Sequence, residues 1–186
     1  MLVSAMPRRD NRLGFQGVPE EPDVELNRGV VSDRVLLAYA KASERLRDIG
    51  IPHVLVGGLA VGAWGHPRAT KDVDFLVREK DAFEGSTILT FKRGVPIEVD
   101  GVTIDYLTLE SLKIKSRERM QGPVVPIELL FVMKLKAKRI QDDADIVALI
   151  KRGADVPKVE RWLSKHALAT ERSRLLRLVR RAQAEE

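Results

Sequence analysis

The sequence has no cysteine among its 186 residues, which excludes disulfide bonds and thiolate chemistry. Aromatic residues make up only 5% of the chain, so the composition does not indicate binding of single-stranded nucleic acid by base stacking. No apolar run approaches the roughly 20 residues that a membrane-spanning helix needs. The first residues, MLVSAMPRRDNRLGFQG, lack the apolar centre of a secretory signal. We therefore expect a cytoplasmic protein with no membrane partner.

Histidine is also scarce, and the three histidines do not have the spacing of a zinc site. Hydrophobic residues make up 44% of the chain, which is ordinary for a globular protein. The length suits one domain with a small appendage. We predict a flexible, polar lead-in over residues 1–31, a domain over residues 32–152, and a basic helical extension over residues 153–186.

The C-terminal extension is the most basic part of a chain whose net charge is +5. Five arginines lie between Arg172 and Arg181. They could form a solvated helix face, or a basic edge that attracts RNA or the phosphates of a nucleotide. Leu175, Leu176 and Val179 could form an apolar stripe that docks a partner protein, or could pack on the domain. The sequence leaves these alternatives open.

The periodicity of apolar residues predicts a mixed α/β fold. A helix is expected over residues 32–47, followed by a strand that starts after Pro52. Three short strands are expected over residues 88–92, 95–99 and 102–107. Further helices are expected from Pro126, over residues 143–150, and twice more over residues 157–184. This order of elements predicts an α/β domain that ends in helices.

The segment HVLVGGLAVGAWGHPRATKDVDFLV, residues 53–77, has the strongest signal for function. It predicts a strand, a short helix that begins at a double glycine, and a second strand. Since alternate residues of a strand share a face, Asp72 and Asp74 project together while Val73 and Phe75 point toward a core. Two adjacent carboxylates repel each other unless a cation lies between them, and clusters of oxygen ligands suit Mg²⁺ or Mn²⁺.

Two further features support a site that handles phosphate and metal. Gly57 and Gly58 allow the backbone to approach a ligand closely, where helix amides can receive phosphate. Asp105 lies in a predicted strand that would complete a three-carboxylate site if it paired beside Asp74. Each feature alone has an ordinary explanation: a surface DxD, a tight turn, or an acid on an exposed strand. Asp100 fits a D-G hairpin turn better than it fits a ligand.

These residues resemble a known family. The runs GGLAV and RATKDVDFLV, then IDYL, then ELLFVMKLKAKRIQDDADIVALI, are similar to the nucleotidyltransferase superfamily with the DNA polymerase β-like fold. Within it, the chain looks closest to the branch of AbiEii-type toxins and small nucleotidyltransferase domains. The resemblance covers residues 52–150. It implies a mixed sheet that is flanked by helices and carries the acids, together with two divalent metal ions and transfer of a nucleoside monophosphate (NMP) from a nucleoside triphosphate (NTP).

The resemblance also assigns roles to individual residues. It implies that Asp72, Asp74 and Asp105 bind metal and act in catalysis, and that Gly57 and Gly58 hold the triphosphate. Lys134 matches a lysine near the nucleotide phosphates in the toxin-like members, and Asp142 and Asp145 match acids of a following segment. The chain differs from many members in having Gly58 where they have serine, and Gln141 where the toxin-like members have lysine.

Several of these roles have alternatives. Arg68 and Thr70 lie in the loop that closes over the predicted phosphate site, where Arg68 could contact a phosphate or pair with a neighbouring acid. Lys134 could be a solvated charge on a helix surface, and Asp142 could cap the next helix.

The expected function is therefore metal-dependent transfer of an NMP to an acceptor, which is either an RNA, such as the 3′ end of tRNA, or a protein. By analogy with the toxin-like relatives, the protein could belong to a toxin–antitoxin system. The alternative is a non-catalytic module that binds a nucleotide or docks a toxin or antitoxin partner.

Overall fold

The computed structural model describes residues 17–85, 90–108, 110–112 and 122–185. These residues form a 3-10 helix, seven α-helices and six strands. In chain order, the helices are the 3-10 helix Val24–Asn27, α1 Asp33–Asp48, α2 Gly57–Ala63, α3 Glu79–Ala82, α4 Ile127–Ala137, α5 Ile140–Lys151, α6 Val156–Lys165 and α7 Ala169–Ala184. The strands are β1 His53–Val56, β2 Val73–Val77, β3 Phe83–Glu84, β4 Thr90–Phe91, β5 Glu98–Val99 and β6 Val102–Thr108.

A four-stranded mixed sheet with the order β1-β2-β6-β5 forms the centre of the fold. β2 pairs antiparallel with β1 and parallel with β6, and β5 pairs antiparallel with β6. Strands β3 and β4 form a separate two-stranded sheet. The prediction of a mixed α/β fold is confirmed at this level, while the nucleotidyltransferase fold itself stays a prediction.

One face of the sheet is covered by α1, and the alternation of side chains along the strands decides which residues it covers. Phe75 is fully buried, and its ring stacks between Tyr39 of α1 and Tyr106 of β6, at centroid distances of 6.0 and 6.2 Å. Val73 is buried on the same face, as predicted. The acids of β2 and β6 therefore lie on the opposite face.

Helix α4 is buried around most of its circumference, because α5, α6 and α7 pack against it. Only residues at its C-terminal end are open to solvent, and Ala137, which the periodicity placed in the core, is exposed. Leu163 of α6 and Leu175 of α7 are fully buried in the hydrophobic cluster that includes the sheet. The C-terminal helices thus share the core of the domain, and of the predicted apolar stripe only Leu176 is substantially exposed.

Residues 17–31 also pack on the domain, in contrast to the flexible lead-in predicted there. The side chain of Asn27 is fully buried and donates hydrogen bonds to the carbonyl oxygens of Val24 and Leu59. Its Oδ1 lies against Gly62 of α2, at a point where a β-carbon would overlap it. The missing side chain of Gly62 therefore lets this segment approach α2. Residues 1–16 of the predicted lead-in lie outside the described residues.

Other differences from the predicted elements are local. The strand expected over residues 95–99 is only Glu98–Val99, since Pro96 has no N–H for a ladder and a turn at Gly94 precedes it. The strand expected over 88–92 is Thr90–Phe91, which pairs with β3, and residues 88–89 lie outside the described residues. The helix predicted over residues 143–150 begins three residues earlier, at Ile140. In the described part of the chain, no helix is both long and apolar enough to cross a bilayer.

Candidate active site

Strands β2 and β6 bring two of the predicted acids together. The parallel register pairs Asp74 with Asp105, and neighbouring strands lie about 4.8 Å apart. Asp105 is exposed and Asp74 is half-buried, so both can be reached from the face that α1 leaves free. The prediction that Asp105 lies beside the DxD strand is confirmed. Asp100 is confirmed as a turn residue, since it and Gly101 both have positive φ between β5 and β6.

Asp72 lies just before β2 and is exposed. Its negative charge is one of several that act on the carboxyl group of Asp74. Burial raises the pKa of the Asp74 carboxyl, and the negative charges of Asp105 and Asp72 raise it further. Lys134 and Arg139 act in the opposite direction, but the pKa stays above its ordinary value. A carboxylate in this position is stabilised by any cation that approaches it.

Gly57 lies directly against Asp74. Its φ is +67°, a conformation that L side chains rarely adopt, and a β-carbon would overlap Asp74 Oδ2. The reason lies in the register, since β1 ends at Val56, which is the strand partner of Asp74. The chain turns into α2 immediately afterwards. Glycine is therefore required here both by the backbone conformation and by the closeness of the carboxylate.

Replacement of Gly57 by alanine is expected to displace the Asp74 carboxylate and destabilise the fold. Gly50 is the matched control, because its φ is +71° and no atom lies within 4 Å of the β-carbon position. Gly50→Ala should cost about 1–2 kcal/mol for the left-handed backbone alone. Gly57→Ala should cost about 1–3 kcal/mol more because of the overlap. Urea unfolding of both variants measures the difference, and equal losses would contradict the close contact with Asp74.

The other glycine of the pair meets the loop that follows α2. A β-carbon on Gly58 would lie 2.8 Å from Thr70 Oγ1 and 3.5 Å from Arg68 Nη1. The structure thus gathers Gly58, Thr70 and Arg68 at one place. The guanidinium of Arg68 forms two hydrogen bonds to Asp145, at 2.6 and 2.9 Å. Pairing with an acid, the second of the two alternatives for Arg68, is therefore what the structure has.

Lys134 is the centre of a buried ionic network. Its Nζ lies 2.9 Å from Asp142 Oδ1 and 2.8 Å from Asp145 Oδ2, and all three side chains are almost completely buried. The alternative that Lys134 is a solvated surface charge is wrong. The lysine four residues on, Lys138, is not on the same helical face, because it ends α4 in a left-handed conformation and is exposed.

The acids of this network also hold the start of α5. Asp142 accepts a hydrogen bond from the backbone N–H of Arg139 at 3.2 Å and another from the Arg139 side chain at 2.8 Å. The alternative that Asp142 caps a helix is confirmed, while its role in nucleotide binding stays a prediction. Sequence reasoning did not single out Arg139, although its position three residues before Asp142 fits a capping arrangement. Gln141, which replaces lysine in the resemblance, donates to Asp145 at 3.1 Å.

The network keeps both acids ionised. Burial by itself raises the pKa of Asp142, but hydrogen bonds from Arg139 and Lys134 outweigh burial and lower it. At Asp145, burial is likewise outweighed by Arg68 and Lys134, and the pKa is lowered. The network therefore joins the loop of Arg68, helix α4 and helix α5 through two carboxylates whose pKa values are lowered.

The three predicted acids have the chemistry of a site for a hard cation. No group of three histidine, cysteine or acidic side chains in the described residues is already arranged to hold an ion. The donors nevertheless fit such a cation, because Asp72, Asp74 and Asp105 offer only oxygen and their mutual repulsion is relieved by a divalent charge. Asp142 and Asp145 differ, since lysine and arginine already neutralise them.

No protein-family model matches the sequence, and no curated protein matches it significantly. The functional assignment therefore depends on the residues themselves and on their geometry.

Proposed function

We propose that this protein is a metal-dependent nucleotidyltransferase that moves an NMP from an NTP to an acceptor hydroxyl. The observation that carries the proposal is the pairing of Asp74 with Asp105 across β2 and β6, with Gly57 pressed against the Asp74 carboxylate. A half-buried carboxylate with a raised pKa, next to two further acids, is destabilised in its ionised form, and such groups occur often at functional sites. A bound divalent cation would relieve this repulsion.

In this proposal the residues of the chain have distinct tasks. Asp72, Asp74 and Asp105 hold Mg²⁺ or Mn²⁺, which when bound supplies positive charge to the reacting phosphate and to the pyrophosphate that leaves. The backbone N–H groups of Gly57 and Gly58, at the start of α2 and next to the acids, would receive the triphosphate. The acceptor oxygen forms a bond to the α-phosphorus while the bond to the bridging oxygen breaks, and the hydroxyl proton passes to solvent. Thr70 offers a hydroxyl next to Gly58.

Lys134 has a different task from the one that the resemblance implies. Because it is buried and bridges Asp142 and Asp145, we propose that it fixes the loop of Arg68 and the start of α5. Arg139, which is exposed and lowers the pKa of Asp74, is the cation better placed to meet a phosphate. This proposal predicts that Arg139→Ala lowers the affinity for an NTP analogue in calorimetric titration while the protein stays folded, as thermal unfolding would show.

A transfer assay tests the proposal. The protein is incubated with each NTP labelled at the α-phosphate, with Mg²⁺, and with either total RNA or a protein extract. Label that becomes acid-insoluble, and that nuclease or protease then releases, identifies the acceptor class. Wild-type protein should label one pool, and the Asp72→Ala/Asp74→Ala variant should label neither. Labelling by the folded double variant at the wild-type rate would contradict the assignment.

A second candidate is a non-catalytic module that binds a nucleotide or a partner protein. It is favoured by the pairing of Lys134 with Asp142 and Asp145, which occupies the lysine that the resemblance places near the nucleotide phosphates. The transfer assay separates the two candidates when it is combined with nucleotide binding. Binding of an NTP without transfer to either pool supports the module, whereas transfer supports the enzyme.

A further inference from the structure

The positive charge of the chain is concentrated on its last two helices. Residues 156–185 contain eight lysines and arginines but only three glutamates. Since the net charge of the whole chain is +5, this segment carries all of it, and the rest of the chain is balanced. Charge that is gathered on one element produces a local field that evenly distributed charge does not.

Only part of this charge is neutralised by neighbouring acids. Arg174 binds Asp143 of α5 at 2.8 Å, Arg172 lies 3.7 Å from Glu160, and Arg181 pairs with Glu185. By contrast, Arg177 and Arg180 are exposed, and they form no ion pair with any residue that the structure describes. Each guanidinium group has several N–H donors in a fixed fork, which leaves both arginines able to bind an anion.

The two free arginines continue a polar stripe along α7. Thr170, Ser173, Arg177 and Arg180 are spaced by three, four and three residues, which places them on one helical face. With Leu176 they line a shallow, open groove. The apolar residues Leu175, Leu178 and Ala182 are buried in the core. The outer face of α7 therefore carries a row of hydroxyl and guanidinium groups, with Leu176 exposed beside them.

This chemistry selects among the partners that a basic surface can have. A membrane-binding helix needs a broad exposed apolar face, whereas Leu175, Leu178 and Ala182 of α7 are buried in the core and leave Leu176 exposed. The centre of a protein interface is enriched in aromatic residues and depleted in charge, and the stripe has no aromatic residue. A phosphodiester backbone needs only repeated cationic donors. Ser173 Oγ donates to the carbonyl of Ala169 at 3.0 Å and keeps its lone pairs for a 2′-hydroxyl donor, which RNA has and DNA lacks.

We infer that the stripe formed by Thr170, Ser173, Arg177 and Arg180 is an RNA-binding surface that contacts the sugar–phosphate backbone. It binds without base stacking, and its affinity depends on salt. The surface lies on α7, whereas the acids of the candidate active site lie on β2 and β6. RNA binding therefore needs neither a nucleotide nor a metal ion, and it can be measured independently of the transfer reaction.

The test is fluorescence anisotropy of a labelled RNA hairpin with the full-length protein, without nucleotide, over a range of salt concentrations. The variant is Arg177→Glu/Arg180→Glu. The matched control is Arg34→Glu/Arg93→Glu, which makes the same change in charge at two exposed arginines that have no ion pair with a described residue. Arg34 lies on α1, on the side of the sheet away from the acids. Thermal unfolding monitors the fold of both variants.

Wild-type protein and the control variant should bind the RNA hairpin, and the α7 variant should bind at least about tenfold more weakly. Its slope of log affinity against log salt should be smaller by about 2, one for each lost phosphate contact. A hairpin of DNA with the same sequence should bind several-fold more weakly than RNA. Equal binding of RNA by the α7 variant and the control would overturn the inference. So would binding of DNA as tight as that of RNA, or equally effective competition by polyglutamate, which would indicate an acidic protein partner.

Discussion

Replacement of Asp74 by asparagine is expected to reduce NMP transfer at least about 1000-fold, which corresponds to about 4 kcal/mol of transition-state stabilisation. Asparagine keeps the shape of the side chain but removes the negative charge that would hold a divalent cation beside Asp105. The rate of label transfer from the α-phosphate measures the effect. Glu44→Gln is the control, because Glu44 is exposed on α1, which covers the other face of the sheet.

The same variant should be at least as stable as the wild type at neutral pH. Burial and the neighbouring acids raise the pKa of Asp74 in the folded protein, so its protonated carboxyl stabilises the fold. This contribution to the free energy of unfolding is fully present below the pKa of the unfolded state, about 3.9, and is lost as the pH rises through the pKa of the folded state. The asparagine of the variant does not titrate. The free energy of unfolding of Asp74→Asn relative to wild type should therefore increase from pH 4 to pH 8. A decrease would show that the charged form of Asp74 is stabilised by its surroundings.

Replacement of Lys134 by methionine is expected to cost about 3–5 kcal/mol of the free energy of unfolding. The change leaves Asp142 and Asp145, which are both fully buried, without the ammonium group that bridges them. The loss should fall toward the lower end of this range, because Arg139 and Arg68 still contact one acid each. Urea unfolding at pH 7 measures it.

Two further variants make the Lys134 result specific. Lys138→Met removes the same charge at an exposed position just beyond α4 and should change the free energy of unfolding by less than about 0.5 kcal/mol. Lys134→Met combined with Asp145→Asn should recover part of the loss, because the two side chains interact directly. A cost below about 1 kcal/mol for Lys134→Met would contradict the buried network.

The sequence was most informative where a short local pattern determines the direction of a side chain or the position of a turn. The two-residue alternation of strands was enough to place Asp74 opposite Val73 and Phe75, whereas Asp72 lies before the strand begins. The D-G dipeptide was enough to identify the turn at Asp100. The neighbouring position of Asp105 required a further assumption, that β6 pairs with β2, because the order of strands in a sheet is set by tertiary packing and not by local periodicity.

The burial of Lys134 could not be read from helical spacing alone. A spacing of four residues between Lys134 and Lys138 is typical of two charges on one exposed helix face. In the structure, however, α5, α6 and α7 pack against α4 and bury Lys134. The run IELLFVMKLKA contained one usable signal, since a charge within so apolar a helix needs a partner. Asp142 and Asp145, three residues apart on the next helix, are those partners.

The packing of residues 17–31 had no comparable signal. The segment is polar and rich in turn residues, a composition that resembles a flexible lead-in. Its attachment depends on distant contacts, in which Asn27 fits against Gly62 of α2 and the backbone N–H groups of Val18 and Asp23 donate to the carbonyl oxygens of Arg152 and Ala63. Contacts between residues far apart in the chain are specified by shape, and a local pattern does not encode them.

The most direct test of the proposed function is calorimetric titration of the purified protein with non-hydrolysable analogues of the four NTPs, with and without Mg²⁺. Wild-type protein should bind at least one analogue, with an affinity that depends on Mg²⁺ and is lost in Asp72→Ala/Asp74→Ala, while Glu44→Gln binds as the wild type does. No binding of any analogue by the folded wild-type protein, or binding that the loss of both acids leaves unchanged, would contradict a nucleotidyltransferase site at Asp72, Asp74 and Asp105.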